Sequence, residues 1–412
     1  MAGDLRAGRD RAPALAVRAP ESDVAMTVDE TLDALLKPRE NGSAALADVA
    51  GYLERTLRAT GCRVSLHEFV CRPYAGRIVG VVCFLLAVWF FVQMWRRRFG
   101  AALCVAALLP LYLLADYELH CPLLSRIGSV LERNMVATFP VAELQRRVIL
   151  SAHYDTKTDL LDHYQRAPIQ FLIVPMLLFG IALPLTALWR RRRQRAERHV
   201  RQWAAVVPIY FAGFLVAMTG GAIVTARSPG ALDDGASVAT LVQLAERLGS
   251  NALKLEHTEV RIVLFAGEEV GLQGSASYVA QLGDDVLVPT FAINAEGWGF
   301  GPLLSYFTSD RSPVRRYEAS TALIRTLDRV HRRIARDSGL VPDIQPVTTD
   351  ARSFLAAGVP AVTLASQRDG DNRIRFLHSA ADSRERIDLL GLQRALDLLQ
   401  AALIEIDARG VD

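Results

Sequence analysis

Apolar residues in this chain follow two different patterns. One is periodic. From Ser43, Leu46, Val49, Leu53 and Leu57 recur at helical spacing and stop at Gly61, which predicts an amphipathic helix with a serine cap. Residues 63–70 alternate as a half-buried strand does, and further strands are expected at 134–139, 147–152, 261–266, 290–295 and 359–365. Helices are expected over 236–248, from Ser312-Pro313 to about 337 and over 387–406, with a short helix that ends at 354–358. Strands alternating with helices in this way predict an α/β sandwich around a mixed, largely parallel sheet. Residues 1–28 are rich in Arg, Ala and Pro without periodicity, which predicts a disordered tail.

The other pattern is unbroken. Four runs, 78–95, 99–115, 169–189 and 203–226, are nearly free of charge and about long enough to cross a bilayer. Core helices ordinarily need shorter runs, and these four come as two tight pairs. The chain therefore reads as one domain over 29–412, interrupted by transmembrane hairpins at 78–115 and 169–226. The apolar share of 51% and the mean hydropathy of +0.20 are high for a soluble enzyme, and the four runs account for the excess.

Charge gives the hairpins a direction. Arg96, Arg97 and Arg98 join the first pair of runs. Arg190 to Arg193, Arg195, Arg198 and Arg201 join the second, opposed only by Glu197. These turns carry +9 against +3 for the whole chain, leaving the rest at −6. By the positive-inside bias the hairpin tips face the cytoplasm and the remainder lies on the non-cytoplasmic side. That arrangement requires the 77 residues ahead of the first run to be translocated without a recognisable cleavable signal. None of the five cysteines has zinc-type spacing. Cys83 and Cys104 lie within the runs. Cys71 and Cys121 bracket the first hairpin and emerge on one side, where a disulfide is open to them if it is oxidising; unpaired thiols are the expectation.

Acidic residues and histidines cluster at the ends of the expected strands. The apolar stretch 261–267 delivers Glu268 and Glu269 side by side, and adjacent acids are costly unless something positive lies near them. His153 and Asp155 follow the 147–152 strand, positioned for Asp155 to hydrogen-bond the far ring nitrogen of His153 and fix its tautomer. Asp233-Asp234 precedes a helix, where capping is the ordinary role, yet a carboxylate there is also able to bridge two metal ions. Asp233 is the one chosen as the bridge. Glu296 ends another strand, and His378 lies in the loop before the last helix. Each element alone is commonplace; the ordered set is that of a two-metal hydrolase. Of Glu268 and Glu269, one is expected to ligate and the other to act as general base. Trp298 and Phe300 either line a side-chain pocket or simply pack.

The stretches S-A-H-Y-D-T, G-A-L-D-D-G-A-S, F-A-G-E-E-V-G-L-Q-G-S-A-S-Y, I-N-A-E-G-W-G, F-L-A-A-G-V-P-A-V and H-S-A-A-D together resemble the twenty-eighth metallopeptidase family. That family of zinc exopeptidases includes bacterial aminopeptidases, glutamate carboxypeptidase and the transferrin-receptor fold. The resemblance runs from about the first helix to the C-terminus and implies a three-layer, phosphorylase/hydrolase-like sandwich. It also implies two zinc ions, one on His153, Asp233 and Glu296, the other on Asp233, Glu269 and His378. Glu268 is then the base and Asp155 the group that orients His153. Glu296 stands where many members have Asp, and N-x-E-G is similar to the multispan membrane branch. The implied activity is removal of N-terminal residues from peptides, with peptide and lipid bilayer as partners and no nucleic acid. Alternatives are a single-zinc glutaminyl cyclase on the same fold, which the full ligand set disfavours, and a catalytically silent binding module, which should have lost ligands. A transporter is disfavoured because the four runs lack intramembrane ionisable residues.

Overall fold

The computed structural model describes residues 21–118, 121–161, 163–219, 226–283, 288–312, 315–336, 338–345, 347–368 and 374–412. Helix α1 (Glu21–Leu35) begins inside the stretch expected to be a loose tail, whose first twenty residues lie outside the described ones. Helix α2 (Ala44–Ala59) starts where its cap demands: the Ser43 hydroxyl accepts the Leu46 amide at 3.1 Å, satisfying one of the amides that a helix start leaves open. Leu46, Val49, Leu53 and Leu57 then form its buried stripe.

The sheet is built from β1 (Arg63–Cys71), β2 (Val130–Phe139), β3 (Arg146–His153), β4 (Thr258–Phe265), β5 (Thr290–Ala295), β6 (Leu303–Phe307), β9 (Val341–Asp343) and β10 (Ala361–Gln367), after a side hairpin of β7 (Ser309–Arg311) and β8 (Arg316–Glu318) is set apart. Its order is β1-β2-β4-β3-β5-β10-β6-β9. The centre, β4-β3-β5-β10, is parallel, whereas β1, β2 and β6 pair antiparallel to their inner neighbours. The fold is thus mixed α/β with a mostly parallel sheet.

Period-two alternation sorts the side chains of the central strands between two cores. Val260, Ile262 and Leu264 of β4 join Val148, Leu150 and Ala152 of β3 on one face. There they meet α1, α2, α9 (Ala236–Gly249), α11 (Thr321–Ile334) and α13 (Leu389–Arg409). Val263, Phe265 and Ile149 point the other way, toward α10 (Gln273–Ala280) and α12 (Ala351–Ala356). The helix expected from Ser312-Pro313 starts later than the sequence suggested. Arg316–Glu318 pairs as β8, and α11 begins at Thr321 behind the Ser320 cap, because helical apolar spacing starts only at Leu323.

The four unbroken runs form a separate helical cluster. Its members are α3 (Ala75–Trp95), α4 (Phe99–Leu113), α6 (Ile173–Arg192) and the pair α7 (Arg198–Trp203) and α8 (Val206–Met218). Among the described residues, four helices are long and apolar enough to cross a membrane by length and composition: Ala75–Trp95, Phe99–Asp116, Ile173–Arg192 and Arg198–Met218. Cys83, Ala87, Phe90, Ala102 and Phe211 face inward, while Leu85, Trp89, Leu111, Leu178 and Ile209 point outward. The run beginning at 169 splits into the end of α5 (His163–Phe171) and α6. The run ending at 226 is helical to Met218, and residues 220–225 lie outside the described ones. The two Arg-rich tips lie together, with Arg97 of one meeting Glu197 of the other at 2.9 Å. All five cysteines are free thiols, Cys71 buried and Cys121 exposed.

Candidate metal centre

Parallel strands in an α/β sheet open their carboxyl ends onto a shared crevice. Here β3 ends at His153, β4 runs through Gly267 into Glu268 and Glu269, and β5 runs into Glu296. Gly267 has φ +74, a left-handed turn that swings the chain off the strand at little cost because glycine lacks a Cβ. Asp233 arrives from the loop ahead of α9. Gly230 in that loop has φ +60, and a Cβ there would lie 2.3 Å from Thr156 and 2.6 Å from the Asp233 carbonyl oxygen. The Asp233–Asp234 peptide is cis. His378 arrives from the loop before α13 with φ +59, a left-handed conformation that other contacts must hold in a non-glycine residue.

These segments bring all five expected metal residues to one place. His153 Nε2 lies 3.0 Å from Asp233 Oδ1 and 3.6 Å from Glu296 Oε1. His378 Nε2 lies 3.0 Å from Asp233 Oδ2 and 3.0 Å from Glu269 Oε2. The two imidazoles thus address different oxygens of a single carboxylate. His153, Asp233 and Glu296 form one group, and Asp233, Glu269 and His378 a second, with the donor atoms of each group within 4.8 Å of one another. Glu268 belongs to neither.

The donor set suits zinc. Two imidazole nitrogens and carboxylate oxygens are ordinary zinc ligands. Glu269 Oε1 and Glu296 Oε2 are buried without a hydrogen-bond partner among the described residues, a costly state for carboxylate oxygens that a cation would relieve. Burial works against ionising Asp233, but hydrogen bonds from His153 and His378 outweigh it and hold its carboxyl well below the usual range. Burial pushes Glu268 well up; His153 opposes this, and the charges of Glu296 and Glu269 reinforce it. So dense a group of acids needs positive charge to be stable.

A ring of further groups fixes the ligands, and of these the sequence had assigned a role only to Asp155. His153 Nδ1 lies 3.2 Å from the main-chain oxygen of Asp155 and 3.5 Å from its carboxylate Oδ1, so the main chain is the nearer partner. The Asp155 carboxylate instead accepts from Asn41 Nδ2 at 2.6 Å and from the Glu268 and Glu269 amides at 3.3 and 3.2 Å. It therefore ties β3's end to the Glu-Glu turn. Asp234 accepts the Gly297 amide at 3.2 Å, and Asp382 accepts the Leu232 amide at 2.8 Å and the Asp233 amide at 3.3 Å. His378 Nδ1 meets Asp159 Oδ2 at 2.5 Å, and Arg166 meets the same oxygen at 2.7 Å. Arg39, fully buried, donates to the carbonyls of Leu35, Tyr154, Pro229 and Gly230, bonding the His153 and Asp233 loops together. Asp382 stood inside the H-S-A-A-D stretch. Asn41, Asp159, Arg166 and Arg39 carry no local signal, because their partners are distant in sequence.

Trp298 is wholly buried, and its Nε1 donates to the Leu364 carbonyl at 2.9 Å, so it is a core residue. Phe300 packs edge-to-face on Phe376, with ring centroids 6.2 Å apart.

Residues 216–403 match the model of peptidase family M28. This segment is similar to peptidase family M28. It contains Asp233, Glu268, Glu269, Glu296 and His378, and the fold brings His153 and Asp155 to it from outside the matched residues. The M28 family is zinc-dependent, and its peptidase chemistry agrees with a centre of this composition. No curated protein matches the chain.

Solved structures share the fold. An aminopeptidase from Aneurinibacillus sp. strain AM-1 is 15% identical with a TM-score of 0.53, covering 92% of this chain and 93% of its own. The LapA aminopeptidase of Legionella pneumophila is 13% identical with a TM-score of 0.51, covering 94% of this chain and 75% of its own. A glutaminyl cyclase from an Acidobacteriales bacterium is 15% identical with a TM-score of 0.55, covering 99% of this chain and 100% of its own.

Proposed function

We propose that this protein is a membrane-anchored, dinuclear zinc exopeptidase that removes N-terminal residues from peptides. The observation that carries the proposal is the division of the Asp233 carboxylate, one oxygen to each of two imidazoles at 3.0 Å. His153, Asp233 and Glu296 would hold one ion, and Asp233, Glu269 and His378 the other. Zinc in such a site supplies Lewis-acid polarisation of a carbonyl and acidifies water. Glu268, beside the ligands but outside both groups, is the general base. It takes the proton of the attacking water and hands it to the leaving amine. Asp155 positions that base, because its carboxylate holds the amides of both Glu268 and Glu269.

Peptides with free and with acetylated N-termini test the activity. Stepwise release of the first residue from free peptides alone is the expected result. Equal cleavage of both forms would contradict an aminopeptidase.

A second reading, a single-zinc glutaminyl cyclase, draws support from the looser His153 side, where Glu296 stands at 3.6 Å. It predicts loss of ammonia from an N-terminal glutamine without shortening of the peptide.

For the membrane, the reading is a domain over 29–412 interrupted by two spanning hairpins, with the centre on the non-cytoplasmic side and both Arg-rich tips in the cytoplasm. The ion pair between the tips supports their lying on one side. Reporters fused after Arg98 and after Arg195 are expected to read cytoplasmic; external signals at both contradict the orientation.

A further inference from the structure

We propose that the helix leading into the third span is part of the metal centre: Arg166 of α5 holds Asp159 against His378 and so positions that imidazole as a ligand. The inference rests on the metal reading above and goes beyond it, because it makes the membrane helices more than an anchor. Arg166 Nη1 lies 2.7 Å from Asp159 Oδ2, and the same oxygen lies 2.5 Å from His378 Nδ1. A second guanidinium nitrogen, Nη2, lies 3.5 Å from that ring nitrogen. The Asp159 amide donates to the His378 carbonyl at 3.0 Å, closing a tight loop around the left-handed His378 backbone. All three side chains are at most 10% exposed.

The chemistry follows from this geometry. A carboxylate at Nδ1 makes that nitrogen the donor and turns the Nε2 lone pair toward Asp233 and Glu269. Arg166 then holds Asp159 in place, because a guanidinium offers directional donors to a carboxylate. Lys157 also approaches Asp159, at 3.5 Å, but from a more exposed position. His153 is held differently. Its Nδ1 partner is a main-chain carbonyl, which needs no counter-ion.

Helix α5 is in turn fastened to the helical cluster. Tyr210 of α8 donates to the Ile169 carbonyl at 2.6 Å, and Ile169 lies three residues from Arg166 on the same helix. After Leu172 the chain continues as α6. The cluster is thereby joined, through α5, to the His378 side of the centre.

The test uses the full chain in nanodiscs, stripped of metal. Cobalt(II) is titrated in while its absorption is followed, and zinc affinity is measured against a chelator. Outer partners of metal-bound histidines are worth roughly 10–100-fold in affinity. Arg166→Met is expected to weaken one equivalent by about tenfold, the low end of that range, and to leave the other unchanged. Arg166→Lys should restore most of the loss, and Asp159→Asn should weaken the same equivalent by at least as much. Wild-type affinity for both equivalents in Arg166→Met overturns the proposal. So does equal weakening of both with lowered thermal stability, which would mean ordinary packing. A wild-type chain that takes up no cobalt sinks the metal reading itself, a result visible before any variant is compared.

Discussion

Glu268→Gln is expected to lower kcat by about 10²–10⁴-fold, the usual worth of a positioned general base, with metal content unchanged. The reason lies in the division of roles between two adjacent acids. Glu269 faces His378 at 3.0 Å within one ligand group, whereas Glu268 belongs to neither group although its amide is held beside them. Glutamine preserves size and hydrogen bonding but cannot accept the proton. Because the loss falls on the proton transfer, KM should change little. Steady-state kinetics beside zinc analysis of the same preparation check this. Full activity with full zinc would remove Glu268 from the mechanism, and lost zinc would move it into the ligand set.

Asp233→Ala is expected to have a different and larger consequence: loss of both ions together, and of measurable hydrolysis with them. Each imidazole loses the oxygen it faces, and each group loses its shared member. The weakening should exceed the roughly 10–100-fold that follows from deleting an outer partner. The backbone should survive, since the amide at this position is held by Asp382 and the loop by Arg39, neither of which needs the Asp233 side chain. Metal analysis after dialysis, with circular dichroism to confirm folding, reads the result. Retention of one full equivalent would show that the two groups do not depend on a common carboxylate.

Much of this arrangement was legible in the chain because strand ends are legible. Residues 262–266 are all apolar and buried, and an acid pair closely following such a strand has little choice but the crevice at the sheet's carboxyl edge. The same logic places His153 and Glu296. The amphipathic α2 and the four unbroken runs were equally plain, since hydrophobic periodicity and length are local properties.

Contacts that depend on the folded chain were not legible. Asp159 meets His378 across 219 residues, and Arg39 meets the Gly230 carbonyl across 191, so neither pairing leaves a local pattern. Asp155 shows how a correct neighbourhood can hide a different bond. It lies beside His153 as expected, yet its carboxylate is closest to Asn41, and its main-chain oxygen is the nearer neighbour of the ring. The short strands β7, β8 and β9, three residues each, are too brief for alternation to register, which is why α11 was expected to start too early.

Anomalous diffraction from crystals of the full-length protein, recorded on both sides of the zinc absorption edge, tests the central claim most directly. The account predicts two peaks flanking the Asp233 carboxylate, about 3.5–4 Å apart as in other two-metal sites, one beside His153 and Glu296 and the other beside His378 and Glu269. A single peak, or none within reach of Asp233, would contradict it.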